Sequence, residues 1–121
     1  MKYMLLAYTK QTSWDDVDPA SPEFLELCRF YEDLGRELTG SGELVVTEGL
    51  AHPTLSRTVR PGGEVVDGPF AEAKEVLVSF AIVDCAGHDR VTGIAARISA
   101  ATGDAVEIRP LMDGSAEPAL P

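Results

Sequence analysis

Apolar residues at the start of the chain occupy both sides of a two-residue period, with Tyr3, Leu5 and Ala7 on one and Met4, Leu6 and Tyr8 on the other. Residues 1–8 therefore predict a strand covered on both faces. Residues 9–21 carry Trp14, Asp15, Asp16, Asp18 and Pro19 and predict a loop. Ser21 as N-cap, Pro22 at the first helical position and Glu23 in the first turn then mark a helix start. Phe24, Leu27, Cys28, Tyr31, Leu34 and Leu38 share one face of that helix, with Glu26, Arg29, Asp33, Arg36 and Glu37 opposite, and Gly40 and Gly42 supply the stop.

Residues 43–50 predict a second strand, broken by Ala51-His52-Pro53. Runs 55–60 and 64–67 flank Pro61-Gly62-Gly63 and predict a small hairpin, and Asp67-Gly68-Pro69-Phe70 is a second turn. Residues 76–83 predict the strongest strand, with Val76, Val78, Phe80 and Ile82 on one face and Leu77, Ser79, Ala81 and Val83 on the other. Residues 87–101 place Val91, Ile94, Ala95, Ile98 and Ala101 on one helical stripe, and Thr102-Gly103-Asp104 ends it. In the last strand, 105–110, Val106 and Ile108 point one way and Glu107 and Arg109 the other. This order predicts an α+β fold of the ferredoxin-like βαββαβ type with an inserted β-hairpin, as one domain over residues 1–112 followed by a flexible tail, 113–121. Two helices cover only one face of such a sheet. A homodimer hiding the other face is the expected assembly.

Composition narrows the partners. Ten Lys plus Arg stand against twenty Asp plus Glu in 121 residues, a formal charge of −10 that repels nucleic acid and anionic membranes. Most of it is local: residues 15–48 hold ten acids against Arg29 and Arg36, with Arg29 to Asp33 and Glu32 to Arg36 spaced for i,i+4 relief. No apolar run approaches a bilayer span and the start does not read as a signal peptide, so a cytoplasmic address is expected. Cys28 and Cys85 are too few for a disulfide framework and are expected as small buried hydrophobes. Two lone histidines without ligand spacing argue against a metal site. Gly-x-Gly-x-x-Gly and Walker patterns are missing, so no cofactor is expected.

The run Val66-Asp67-Gly68-Pro69-Phe70-Ala71-Glu72-Ala73-Lys74-Glu75 resembles the signature of the DGPF family, a branch of the YCII-related proteins. Met1-Lys2-Tyr3-Met4-Leu5-Leu6, Glu48-Gly49-Leu50, Thr58-Val59-Arg60, Ala95-Ala96-Arg97-Ile98 and Val106-Glu107-Ile108-Arg109-Pro110 are similar to that family in order and spacing. The resemblance implies a dimeric α+β barrel of two facing ferredoxin-like sheets, in a superfamily of small cofactor-free enzymes acting on cyclic or aromatic metabolites. YCII relatives carry a His and Asp pair proposed as acid and base. The histidine they have in or before the first helix is missing here, so that dyad does not transfer intact. DGPF proteins are often encoded beside extracytoplasmic-function sigma factors, which implies a regulatory alternative.

Several residues are candidates for chemistry. Asp67, in a turn beside Gly68, is the candidate general base, or else a turn residue accepting local N–H bonds. His52, a residue type suited to acid–base work, would join it where the second strand's end and the DGPF turn meet, whereas His88 reads as a solvated helix-end residue. Arg109 is the candidate anchor for a substrate carboxylate with Glu107 beside it, or the two form a structural ion pair. Phe70 is either a core plug or a ligand wall. Tyr8, Trp14 and Glu48 are candidate pocket lining at strand ends. Glu72, Lys74 and Glu75 read as a solvated charge cluster or as substrate-orienting groups. Two functions follow: a cofactor-independent enzyme performing proton transfer, isomerisation or elimination on a small polar or aromatic metabolite, or a non-catalytic small-molecule-binding, regulatory dimer.

Overall fold

The computed structural model describes residues 1–70 and 74–112. Its elements are β1 (Lys2–Lys10), α1 (Gln11–Asp15), α2 (Pro22–Gly40), β2 (Leu44–Gly49), a 3-10 turn (Pro53–Leu55), β3 (Arg57–Val59), β4 (Val65–Asp67), β5 (Glu75–Asp84), α3 (His88–Thr102) and β6 (Ala105–Pro110). The four long strands lie in the order β2-β5-β1-β6 with every neighbouring pair antiparallel, and β3 pairs with β4 apart from them. The result is a mixed α+β architecture. The tail at 113–121 and Glu72 lie outside the described residues.

The core forms where α2 and α3 cover one face of the sheet. Tyr3 and Leu5 of β1 and Val83 of β5 are buried there against Leu34, Leu38, Val91, Ile94 and Ile98. Val106 and Ile108 pack against this cluster, as their alternation predicts. Ala101, expected on the α3 stripe, is exposed, because that stripe leaves the sheet in the last helical turn. Cys85 is buried, but Cys28 is only half-buried, and neither is in a disulfide. On α2 the expected i,i+4 pairs give way to an i,i+3 pair, Arg36 to Asp33 at 3.1 Å.

Two departures from the sequence pattern matter for the site. Residues 11–15, expected as loop, form a short helix tied to the residue before β5 by the Gln11 N–H donating to the Lys74 carbonyl at 3.0 Å. A single helical turn is too short to show a hydrophobic period, and its anchor is tertiary. In addition, the β1–β5 register shifts between Ala7 and Tyr8, so that Tyr8 faces Leu77. This irregularity moves Leu77 off the face of Ser79, Ala81 and Val83 onto that of Phe80 and Ile82, contrary to strict alternation.

The sheet's second face carries Met4, Leu6 and Tyr8 of β1, Leu77, Phe80 and Ile82 of β5 and Val46 of β2, all half-buried. Glu107 lies opposite Leu6 and Arg109 opposite Met4 on that same face, as expected for the pair. Among the described residues no helix is long and apolar enough to cross a membrane.

Candidate functional site

Tertiary packing brings together two residues 37 positions apart. β1 runs directly into α1, which presents Trp14 and Asp15 at its end. His52 precedes Pro53, which restricts the residue before it to extended backbone; its φ of −54° and ψ of 140° obey that restriction. His52 Nε2 lies 2.6 Å from Asp15 Oδ1, and the imidazole stacks on the Trp14 indole with centroids 6.0 Å apart and planes 10° from parallel.

The other ring nitrogen fixes the tautomer. Nδ1 accepts the Thr54 backbone N–H at 3.2 Å, with Thr54 Oγ1 at 2.9 Å. A nitrogen that accepts a backbone N–H carries no hydrogen, so in the neutral ring the hydrogen sits on Nε2 and donates to Asp15. The short contact to a carboxylate is the geometry of a charge-assisted bond. Thr54, His52 and Asp15 thus form one hydrogen-bonded line, hydroxyl to imidazole to carboxylate.

Two depressions meet at this line. An open cleft of about 1290 Å³ is bordered by Asp15, Thr54, Lys10, Lys74, Gly68 and Pro69. A recess of about 500 Å³ is lined by His52, Tyr8, Leu77, Leu55, Ser56 and Pro69. The DGPF turn therefore borders the site through Gly68 and Pro69, and it converges with the end of β2 as expected. Gly68 has a φ of 103°, a left-handed conformation that glycine adopts without strain, and its N–H donates to the Ser56 carbonyl at 2.8 Å.

A second polar group lies across the recess. The Tyr8 hydroxyl donates to Glu107 Oε1 at 3.3 Å, and Arg109 Nε sits 3.7 Å from Glu107 Oε2. Desolvation, then the Glu107 charge and hydrogen bond, raise the Tyr8 pKa, while Arg109 acts the other way.

The remaining sequence candidates are dispersed. Asp67 is exposed at the end of β4, paired across the hairpin with Arg57, and borders neither depression. Asp67, His52 and Arg109 do not line one cavity. Phe70 is 79 % exposed, so it plugs no core in this chain. Glu48 lies opposite Phe80 near the sheet edge and borders a separate cavity together with Trp14. Arg109 is exposed, and its side chain meets Glu107. Lys74 borders the cleft with Glu75, and His88 is exposed at the start of α3. Asp15 and Thr54 escaped sequence reasoning. The signal that could have found Thr54 is His52-Pro53-Thr54, a cap followed by a tight turn; Asp15 is brought in by tertiary structure alone. Among the described residues no group of three or more His, Cys, Asp or Glu side chains is placed to hold a metal.

Residues 1–115 match the YCII-related domain. The chain is also similar to uncharacterized protein R00369 of Rhizobium meliloti (strain 1021), 33% identical over 120 residues that cover 92% of each chain. The protein belongs to the YCII-related family.

Proposed function

We propose that the protein catalyses proton transfer on a small polar or aromatic metabolite, an isomerisation or an elimination that needs no cofactor, with His52 as the base. The observation that carries this reading is the Thr54–His52–Asp15 line at the meeting of two depressions. A substrate proton passes to Thr54 Oγ1 as the Thr54 hydroxyl hydrogen moves to His52 Nδ1. The resulting imidazolium is held by the Asp15 carboxylate. Returning the proton at a different substrate atom completes an isomerisation; losing it with a leaving group completes an elimination. Asp67 is outside this line, so its role as a base gives way to its place in the turn.

The strand order β2-β5-β1-β6, with all neighbours antiparallel, supports a ferredoxin-like topology with β3 and β4 as the inserted hairpin. The half-buried apolar face of Met4, Leu6, Phe80 and Ile82 supports a homodimer closed face to face as an α+β barrel, with Tyr8, Glu107 and Arg109 at its rim. The run from Val66 to Glu75 supports placement in the DGPF branch. A regulatory, ligand-binding dimer is the second reading, and it is favoured by one observation: both ring nitrogens of His52 already have partners within the chain.

Deuterium wash-in separates the two. A panel of small carbonyl compounds is incubated with the protein in heavy water, and exchange at the carbon beside the carbonyl is followed by proton NMR. The enzyme reading expects exchange that falls at least about 100-fold in His52→Gln and Asp15→Asn, consistent with the usual worth of general base catalysis. Thr54→Ser should retain it and Thr54→Val should not. Binding of panel members without exchange in the unaltered protein would favour the regulatory reading.

A further inference from the structure

The apolar stripe of α2 divides into two parts. Leu34 and Leu38 are buried in the core, whereas Phe24, Leu27, Cys28 and Tyr31 of the first turns line a cavity of about 560 Å³ between the helix and the sheet. The lining includes Glu48 and Asp104 but no Lys, Arg or His among the described residues. It is thus apolar with a carboxylate character, which suits a cation and disfavours an anion.

Asp104 is held firmly at one end. Gly103, at a φ of 76°, ends α3 in the left-handed conformation and turns the chain so that the Asp104 N–H donates to Thr102 Oγ1 at 3.0 Å. Ser99 Oγ donates to the Asp104 carbonyl at 2.7 Å. Desolvation raises the Asp104 pKa; the Thr9 and Thr102 hydroxyls draw it back, and the Glu75 charge adds to the rise. None of the ion pairs among the described residues involves Asp104.

We propose that this cavity is a second ligand site, distinct from the His52 line, and that it takes a small protonated amine with an aromatic body. The ammonium group binds Asp104, and the body packs on Leu27, Phe24 and Tyr31.

Three probes with one scaffold and different charge test it: tyramine, the neutral 2-(4-hydroxyphenyl)ethanol and 4-hydroxyphenylacetate, each titrated into the full chain by calorimetry. Tyramine is expected to bind at least about tenfold tighter than the alcohol, and the acid more weakly than either. Asp104→Asn should weaken tyramine at least about tenfold and leave the alcohol within about threefold. Equal or tighter binding of the acid, no tyramine binding, or unchanged tyramine affinity in Asp104→Asn would overturn the proposal. Should Asp104→Asn fail to fold, Leu27→Trp fills the cavity instead. Tyramine binding must then disappear while the circular dichroism spectrum is retained, and persistent binding overturns the site.

Discussion

The two faces of the four-stranded sheet share one alternation pattern and differ in what completes them. On the helix-covered face Tyr3, Leu5 and Val83 meet α2 and α3 and are fully buried. On the other, Met4, Leu6, Phe80 and Ile82 are equally apolar but only half-buried, and the charged Glu107 and Arg109 stand among them. Because burial removes apolar surface from water at roughly 25 cal/mol per Å², the first face stabilises the single chain. The second is apolar surface that this chain leaves half-covered. His52 and Tyr8 lie in a recess at the margin of this second face. The contrast thus separates residues that hold the fold from residues that the proposed dimer and its chemistry use.

The sharpest way to test the contrast is to damage each face in turn. Ile94→Ala cuts into the completed core and is expected to cost about 2–5 kcal/mol, read from urea unfolding. Phe80→Asp on the open face should leave circular dichroism intact yet convert the proposed dimer to monomer in sedimentation equilibrium. A folded dimer in that variant would refute the pairing of open faces. Ser21→Ala removes the side-chain cap that accepts the Phe24 N–H at 3.2 Å, and about 1 kcal/mol is expected from it, whichever face dominates.

The smallest effect is electrostatic. The Arg90 guanidinium, aided by the Ser41 hydroxyl, holds the Glu43 carboxyl down to about 2 from 4.5. A depressed folded-state pKa contributes stability that is present above pH 4.5 and is lost as pH falls toward about 2. Arg90→Ala should therefore flatten the acid side of the stability profile only slightly, with little change in oligomeric state. A larger loss near neutral pH would give this pair a weight in the core that its position on the rim does not.

Much of the scaffold was legible because it rests on local chemistry. Ser21-Pro22-Glu23 starts α2, Gly103 ends α3, and the alternation of Val106, Glu107, Ile108 and Arg109 assigns β6 its two faces. Leu77 was misplaced because the register shift at Ala7 and Tyr8 arises from pairing between strands, which alternation within one strand does not encode. Of the two readings of Phe70, the core plug fails because a bulky apolar side chain beside a turn has no local mark of exposure; the structure leaves it outside the core. Of the site, His52, Tyr8 and Trp14 were visible as strand-end residues, and the DGPF turn was visible through Gly68 and Pro69. Asp15 was not, since it meets His52 only when α1 docks beside the end of β2.

The central claim is that His52 keeps its hydrogen on Nε2 toward Asp15 while Nδ1 accepts from Thr54, whose hydroxyl lies within hydrogen-bond reach of it. Side-chain nitrogen-15 NMR of the histidines, assigned through loss of signals in His52→Gln, reads this directly. The account predicts that in the neutral ring Nε2 is protonated and Nδ1 is not, with a disturbed Nε2 signal in Asp15→Asn. A hydrogen on Nδ1 in the neutral ring, or an Nε2 signal indifferent to Asp15→Asn, would contradict it.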